Sequence, residues 1–504
     1  MIPSFIWLFV ALSHSFTFGT AWFCAPQNKD IPTFLSTKPA EPKYNITDFG
    51  AKGDGITNNM QAIQRAIDQC SEQGGGVVVV PAGRFLTGSI RLKDNVHLWL
   101  DNNAVLLGST RRDDYQKNRW YALILAKDAS NIAITGGGLI DGQGTALAAD
   151  ADRMYKLGLI GGGYEENRTD ESERPQIIDF ELCKNITVRG VTIKNSACWV
   201  QRYGKCDSLT IDGITVESMA FWNNDGIDLV DCTNTLLQNS SFNAADDGIC
   251  LKSDVRTLAC NNIVIRNCRV RSSASALKFG TNSYGGFKNI KVEGLEVWDT
   301  YRSAIALETV DGGTIENVEI SNVRAKNTGN ALFLRLGKRH TKTAGILRNV
   351  YIHDVTVEVP RGRPDKGYPL PGPAVKEPQN LAPSSVVGLP EQAIEQVRLE
   401  RITIVFGGGG TCKKACVPAD SLAKVPERPA DYPEFTMFGE LPAWGFYCRH
   451  VKGLHLRDIQ LVLRKKDYRQ PLIFDDVEVV TEGVEVRRKR SSSLYTPQKT
   501  KQRK

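Results

Sequence analysis

Two kinds of pattern are missing from this 504-residue chain. Beyond an apolar segment near the N-terminus, no run of apolar residues is long enough to span a membrane. No group of Cys and His residues has the spacing of a zinc site, so we predict no metal and no cofactor. The composition, 41% hydrophobic and 24% charged, is that of a globular protein and excludes a disordered chain.

The N-terminal stretch MIPSFIWLFVALSHSFTFGTAWFC has the features of a secretory signal, although no Lys or Arg precedes its apolar run. That run, Phe5 to Leu12, leads to small residues at Gly19-Thr20-Ala21, where cleavage would be expected. We therefore predict a signal peptide over residues 1–21, a further N-terminal segment over 22–44, and a secreted or periplasmic protein.

Excess positive charge is confined to the other end of the chain. The formal charge is +7, but the last 18 residues hold eight Lys or Arg and no acid, so the remainder carries −1. We interpret residues 487–504 as a basic disordered tail and predict no nucleic-acid partner.

The chain has twelve cysteines, an even number that in an exported protein permits disulfides. Cys412 and Cys416, close together in a glycine-rich loop, are the simplest candidate pair. The pairs Cys198–Cys206 and Cys260–Cys268 are alternatives, although single cysteines within strands are more often small core residues.

A repeat of short β segments runs through most of the chain. Its units include NITVRGVTI, SLTIDGITV, NIVIRNCRV, NIKVEGLEV and NVEISNVRA, each with period-two alternation, a polar corner and a second strand. From residue 185 to residue 317 successive units start 23 to 28 residues apart. This spacing predicts an all-β solenoid of parallel coils over residues 45–480. The Asn or Ser that opens many units fits a corner that turns tightly and hydrogen-bonds along the stack.

A second repeated template follows each unit: DGIDL, DGICL, SALKF, SAIAL and NALFL. Its apolar positions predict inward side chains, and the residues between them predict outward ones. On this register Asp225 and Asp247 occupy equivalent positions on adjacent coils, about 4.8 Å apart along the stack.

The ends and interruptions of the repeat indicate how the solenoid is finished. A helical pattern over residues 58–73, with Met60, Ile63, Ala66, Ile67 and Cys70 as its apolar stripe, predicts a helix that caps the first coil. Insertions at 150–175, 360–392 and 407–445 predict loops, which in solenoids often lie on the binding face.

Asp225, Asp246 and Asp247 form the clearest chemical cluster. Like charges this close raise at least one pKa, which creates the protonated acid and the ionised base that glycoside hydrolysis needs. A single Asp-Gly is more often a simple turn. A doublet in register with a third Asp favours a catalytic function.

Here the sequence resembles glycoside hydrolase family 28, the polygalacturonases and related pectin hydrolases. The likeness extends from ITDFGAKGDGITNNMQAIQRAID at Ile46 to about Asp476, and includes Asn223-Asn224-Asp225 and Ala245-Asp246-Asp247-Gly248. The resemblance implies a right-handed parallel β-helix and an inverting mechanism. It implies that Asp246 protonates the leaving oxygen while Asp225 and Asp247 position and deprotonate water.

Two motifs of that family are altered. Ser275 stands where the family has the histidine of Gly-His-Gly, and Ala306-Leu307-Glu308 replaces the basic pair of Arg-Ile-Lys that grips the galacturonate carboxylate. Glu308 would repel that carboxylate, so unbranched polygalacturonate is predicted to be a poor substrate relative to another pectic glycan.

Other side chains are candidates for binding the sugar. Lys252, Lys278 and Arg335 are predicted to point outward and could replace the missing cations, although solvated surface cations are common. Asn224 and Asn282 are candidate sugar hydrogen-bonding residues. The aromatic candidates for stacking on sugar rings are Tyr203, Trp222 and Tyr284.

The predicted function is that of an exported, monomeric glycoside hydrolase acting on a pectic polysaccharide or oligosaccharide. A lyase or epimerase on the same solenoid is one alternative, although such enzymes usually need calcium ligands and a basic proton acceptor. A non-catalytic carbohydrate-binding β-helix is the other, and the altered motifs would favour it.

Overall fold

The strands wind around one axis as a parallel β-helix. The computed structural model describes residues 42–165, 167–364, 381–411 and 422–488, and the backbone of 419–421 and 491–494. The predicted all-β parallel solenoid is confirmed, because nearly every strand pair is parallel and joins one coil to the next. The predicted signal peptide and the Cys412–Cys416 pair lie outside the described residues.

Three parallel sheets form the sides of the solenoid. The first begins with the strands Lys43–Asn45, Gly76–Val80, Val96–Leu100, Ser130–Gly136, Lys184–Arg189, Asp207–Asp212 and Thr233–Gln238. The second begins with Gly83–Thr87, Ala104–Gly108, Leu139–Asp141, Thr192–Lys194, Thr215–Ser218 and Ser241–Ala244. The third consists at first of Ile90–Arg91, Tyr121–Lys127, Gln176–Glu181, Gln201–Gly204, Ile227–Val230, Ile249–Ser253 and Leu277–Ser283.

Later coils merge these sides into long strands that bend around the corners. They are Cys260–Ser272, Gly286–Thr309, Thr314–Leu336, Ile346–Val359, Ile394–Phe406, Ala443–Leu463 and Gln470–Glu482, with Ser384–Val387 completing the third sheet. The core is the stack of inward apolar side chains, which continues without interruption from coil to coil. One example is the fully buried row Ile227, Ile249, Leu277, Ile305 and Leu332.

At most strands of the first sheet the corner is made by a residue in the left-handed conformation at or near the start of the strand. Asn289 and Asn317 have φ of 55° and 56°, a region that Asn tolerates better than most residues. Their side chains also form a ladder, since Asn317 Nδ2 donates to Asn289 Oδ1 at 3.0 Å and Asn349 Nδ2 donates to Asn317 Oδ1 at 3.4 Å. The repeated Asn thus builds a corner whose hydrogen bonds run along the axis.

A helix packs against the first coil, as predicted. It spans Met60–Glu72 and buries Ala62, Ile63, Ala66, Ile67 and Cys70 against the first strands. The stripe differs from the predicted one at a single position, because Ala62 is buried while Met60 is only half-buried. The helix therefore covers an apolar coil end that would otherwise be exposed. A second helix, Gly144–Lys156, begins before the first predicted insertion and overlaps its first residues.

Two smaller predictions are wrong. The cysteines of the alternative pairs, Cys198 with Cys206 and Cys260 with Cys268, are free and buried, and Cys206, Cys260 and Cys268 are part of the apolar core. The tail does not become irregular at residue 487, since the strand Glu485–Arg488 pairs with Ser491–Leu494. Among the described residues, no helix is long and apolar enough to cross a membrane.

Candidate active site

The outer surface of the third sheet collects the predicted catalytic residues. One outward position repeats from coil to coil, two residues before the inward row that starts at Ile227. It is occupied by Asp225, Asp247, Ser275, Ser303 and Asn330. A register shift near Ser303 accommodates one extra residue. The amide of Gly226 donates to the carbonyl of Asp247 at 2.9 Å, which fixes Asp225 and Asp247 on adjacent coils. The structure thus brings the two carboxylates together as the sequence register predicted.

The three aspartates differ in burial. Asp225 and Asp247 are 4% and 3% exposed, whereas Asp246 is half-buried. A carboxylate oxygen of Asp225 and one of Asp247 lie within 4.8 Å of each other. Asp246 Oδ1 accepts a hydrogen bond from the amide of Asp247 at 2.8 Å. Asp246 is therefore the member of the set most accessible from the cleft.

Lys252 links Asp225 to a carboxylate that the sequence analysis did not select. Its ammonium group lies 2.9 Å from Asp225 Oδ2 and also contacts Asp228 Oδ1. The same nitrogen lies 3.8 Å from the ring centroid of Trp199, a cation–π contact. Since Lys252 is buried between these partners, it holds Asp225 in place.

Lys278 has the equivalent function one coil further on. Its Nζ lies 2.9 Å from Asp247 Oδ2, and it donates to the hydroxyl of Tyr432 at 3.1 Å. Asp247 also accepts a hydrogen bond from the amide of Ser275, the residue that replaces the family histidine, at 3.0 Å. Asp247 is thus surrounded by donors, which favour its ionised form.

The pKa values of the two neighbouring aspartates are shifted in opposite directions. Burial, together with the carboxylates of Asp225 and Asp247, raises the pKa of Asp246 to about 8, and burial also raises the pKa of Asp225 above its ordinary value. Burial also opposes ionisation of Asp247, but the ammonium groups of Lys278 and Lys252 outweigh it and hold the pKa of Asp247 below its ordinary value. At neutral pH Asp246 therefore carries a proton while Asp247 does not.

Glu308 does not stand in the cleft as a free anion. It is 2% exposed, and burial, countered by Lys278, raises its pKa to about 7. Ala306 is paired with Lys278 in the sheet, and Lys278 is itself buried. The prediction that polygalacturonate is a poor substrate stays a prediction, and the repulsion expected from Glu308 is weakened by protonation.

Three candidate binding residues are placed differently from expectation. Tyr203 is fully buried, because it pairs with Leu229 on the inward side, and its hydroxyl donates to Gln201 Oε1. The prediction that Tyr203 stacks on a sugar is therefore wrong. Asn224 is buried, accepts from Ser218 Oγ at 2.7 Å and donates to the carbonyl of Cys198, which supports the turn before Asp225.

Arg335 is the third of these residues. It points away from the coil interior, as predicted, but it is fully buried beneath a later segment of the chain. Its guanidinium donates to the carbonyls of Gly388, Glu427 and Arg428, and burial lowers its pKa to about 10. With both terminal nitrogens bound to backbone carbonyls, Arg335 is not part of the site proposed below.

The remaining candidates lie on the surface around the carboxylates. Asn282 donates to Asp254 at 2.9 Å and accepts from Arg339 at 3.2 Å. Trp222 and Tyr284 are half-buried, each with an arginine over its ring. These contacts leave their predicted sugar-binding functions untested.

Four further residues of the site were missed by the sequence analysis. Asp228 is the outward residue of the aligned template DGIDL, and its pairing with Cys250 places it on the same face as Asp225. Trp199 could have been found by extending the register one coil towards the N-terminus. Arg302 lies just outside the template that was aligned, and its charge influences Asp246 and Asp247. Tyr432 comes from an insertion 154 residues away from Lys278 and carries no repeat signal.

One group of side chains has donor atoms close enough for a metal ion. Among the described residues, Asp225, Asp247 and Cys250 bring one such atom each within 4.8 Å of the others. Both carboxylates already contact buried ammonium groups, whose positive charge opposes a cation at the same place. Burial also raises the pKa of Cys250 well above its ordinary value, which disfavours a thiolate ligand.

The family model of the glycosyl hydrolases family 28 matches residues 70–366, more than half of the chain. The protein belongs to this family.

Several curated proteins are similar to it. An exo-poly-alpha-D-galacturonosidase of Dickeya chrysanthemi is 29% identical over 47% of this chain and 46% of its own length. A probable polygalacturonase of Vitis vinifera is 26% identical over 62% of this chain and 60% of its own. The matches thus cover about half to three-fifths of the length of these relatives.

Solved structures share the fold. An exopolygalacturonase of Thermotoga maritima superimposes with a TM-score of 0.59 at 24% identity, over 73% of this chain and 88% of that one. A surface adhesin of Streptococcus pneumoniae gives a TM-score of 0.51 at 15% identity, over 90% and 94%. Since an adhesin has the same architecture, the fold alone does not define the function.

Proposed function

We propose that this protein is an exported glycoside hydrolase that cleaves galacturonide bonds of a pectic polysaccharide or oligosaccharide with inversion at the anomeric carbon. The observation that carries this proposal is the grouping of Asp225, Asp246 and Asp247 on one face, where Lys278 contacts Asp247 and Asp246 is the most accessible of the three. Asp246, accessible and protonated at neutral pH, is the general acid that donates its proton to the leaving glycosidic oxygen.

Asp247 and Asp225 are the water-activating pair. Their oxygens, within 4.8 Å of each other, can both contact one water molecule between them. The ionised Asp247 takes the proton as the water attacks, and Lys278 and Lys252 hold the two carboxylates in position. The water adds to the anomeric carbon while the bond to the leaving oxygen breaks, so no covalent enzyme intermediate is needed.

The substrate class and the compartment are also parts of the proposal. The similarity to an exo-poly-alpha-D-galacturonosidase and a probable polygalacturonase supports a galacturonide substrate, and the predicted signal peptide supports export. A lyase would need a basic proton acceptor, whereas the lysines of this site are buried and paired with carboxylates.

The proposal is tested by the products formed from trigalacturonate in the presence of a chelator. Hydrolysis releases reducing ends without an unsaturated uronide, and NMR during the first turnovers would show the β-anomer from an α-linked substrate. An unsaturated product would identify a lyase. Initial release of the α-anomer would contradict inversion, and absence of cleavage across a pectic oligosaccharide panel would favour the carbohydrate-binding alternative.

A further inference from the structure

A tryptophan on the outer surface of the second sheet is surrounded by cations. Trp298 is half-buried and points outward, because it follows the inward residue Val297. In the sheet it pairs with Arg271 on one neighbouring coil and with Lys326 on the other. The guanidinium carbon of Arg269 lies 5.2 Å from the centroid of its ring. This face is separate from the third sheet, which carries the catalytic carboxylates.

The neighbouring column of outward residues adds to the positive charge. Arg269, Glu296 and Arg324 pair with one another on three successive coils. Arg269 Nε lies 3.1 Å from Glu296 Oε2, but the two side chains are 64% and 63% exposed, so this ion pair is weak. Arg324 and Lys326 are exposed, and neither has an ion-pair or hydrogen-bond partner among the described residues. The face therefore carries excess positive charge in a chain whose body is nearly neutral.

A groove lies beside these cations, along the corner between the first and second sheets. Its volume is about 690 Å³, within the range of small-ligand sites, and Arg269 and Arg324 border it. On the corner itself Gly294 stands between Asn267 and Asn322, and its missing side chain leaves a notch. The two acids of the lining each pair with an arginine, Glu296 with Arg269 and Asp354 with Arg401. The groove thus extends the positive face without adding unpaired acids from its lining.

These features together fit an acidic polysaccharide. The flat face of an indole ring packs against the CH groups of a sugar ring, and cations on either side of it bind carboxylates. Arg271 and Lys326 are two coil spacings apart, about 10 Å along the axis, so a glycan chain that lies along the solenoid can reach both. Duplex DNA would use the cations but not Trp298, because its bases are stacked inside the duplex.

We propose that the outer face of the second sheet around Trp298 is a second carbohydrate-binding site, which takes an acidic polysaccharide. A uronic acid ring stacks on Trp298, and its carboxylate neighbours along the chain contact Arg324 and Lys326. The inference does not depend on the proposed hydrolysis, because it uses a different face of the solenoid. In a hydrolase such a site holds the polymer near the cleft and raises its effective concentration there.

The test is retention by polygalacturonate in affinity electrophoresis, with all variants made in an Asp246→Asn background so that the polymer is not cleaved. Trp298→Ala should weaken the apparent affinity about 3- to 10-fold, the usual loss for one aromatic contact. Arg324→Gln combined with Lys326→Gln should weaken it about 3- to 30-fold and reduce its dependence on salt. Retention by neutral galactan should not depend on Arg324 and Lys326.

Lys452→Gln combined with Arg457→Gln is the matched control, since it removes two exposed cations from the first sheet. This pair should change the retention less than about 2-fold. Retention that is unchanged in both second-sheet variants, or lowered equally in the control pair, would overturn the inference. Duplex DNA bound as tightly as polygalacturonate, with no effect of Trp298→Ala, would identify a nucleic-acid surface instead.

Activity separates this face from the catalytic one. With Asp246 intact, turnover of trigalacturonate should be the same in wild type and in Trp298→Ala. A fall in turnover as large as the fall in retention would show that Trp298 acts through the catalytic face, and would also overturn the inference. If wild type cleaves no galacturonide, the proposed function has failed, and the retention experiment still decides whether the second site exists.

Discussion

Two ladders of polar residues run along this solenoid, and they differ in what repeats. At the corner of the first sheet Asn recurs on most coils, and Asn289, Asn317 and Asn349 each donate to an Asn of the neighbouring coil. On the face of the third sheet the residues change from coil to coil, from Trp199 to Asp225, Asp247, Ser275 and Ser303. The uniform ladder satisfies its own hydrogen bonds. The varied ladder leaves like charges together, which a purely structural stack would avoid.

The comparison has an electrostatic side. Amides can stack because each supplies both a donor and an acceptor, whereas stacked carboxylates need protons or cations between them. Here Asp246 retains a proton, and Lys252 and Lys278 supply the cations. The carboxylates of the third-sheet ladder are thus stable together only when Asp246 is protonated and the lysines are charged. A protonated acid beside an ionised carboxylate is also what acid–base catalysis requires.

The largest expected effect comes from removing the carboxylates. Asp246→Asn, Asp225→Asn and Asp247→Asn should each lower kcat about 10²–10⁴-fold, since each removes a proton donor or a group that activates water. The measurement is turnover on trigalacturonate, with circular dichroism to establish a native β spectrum. Near wild-type turnover in all three variants would show that the active site is elsewhere.

Lys278→Gln should produce a smaller effect, seen in the pH dependence. Lys278 keeps the pKa of Asp247 low, so its loss raises that pKa, by about 1–3 units for a neighbouring charge. Asp247 acts as an anion, so the acidic limb of the kcat/KM profile should move to higher pH. Lys338→Gln, which removes a lysine paired with Glu391 away from the carboxylates, should leave the limb in place. An unmoved limb in Lys278→Gln would mean that this lysine does not set the charge of Asp247.

The smallest effect is expected in the uniform ladder. Asn317→Ala removes the two side-chain hydrogen bonds of Asn317. It also leaves an alanine at φ 56°, where no side-chain hydrogen bond offsets the strain of the left-handed conformation. The unfolding free energy should fall by about 1–2 kcal/mol. Asn317→Gly, which adopts this conformation readily, should lose less. Chemical denaturation measures the difference, and kcat should be unchanged. A loss of activity at unchanged stability would contradict the division between the two ladders.

Much of the fold could be predicted from the sequence, because each coil repeats the same local rules. Period-two alternation and the recurring Asn fixed the register, and this register correctly brought Asp225 beside Asp247. The same repeat pairs Tyr203 with the inward residue Leu229, so the alternation of its strand already places Tyr203 in the core. The prediction that it faces a sugar did not use this alternation.

The cover of the site could not be predicted. Tyr432 and Glu434 come from an insertion without repeat or register, and only the folded chain shows that they reach Lys278 and Arg302. Burial was the other unknown. Alternation places Lys252, Lys278 and Arg335 outside the core. It does not reveal that neighbouring side chains and inserted segments bury all three.

The central claim is that Asp246 donates the proton to the leaving group, and a comparison of leaving groups tests it most directly. The measurement is kcat for Asp246→Asn on trigalacturonate and on an aryl galacturonide whose phenolate leaves without protonation. The account predicts a loss of about 10²–10⁴-fold on trigalacturonate and a much smaller loss on the aryl substrate, with Asp247→Asn impaired on both. An equal loss of Asp246→Asn on both substrates would contradict the assignment of Asp246 as the acid.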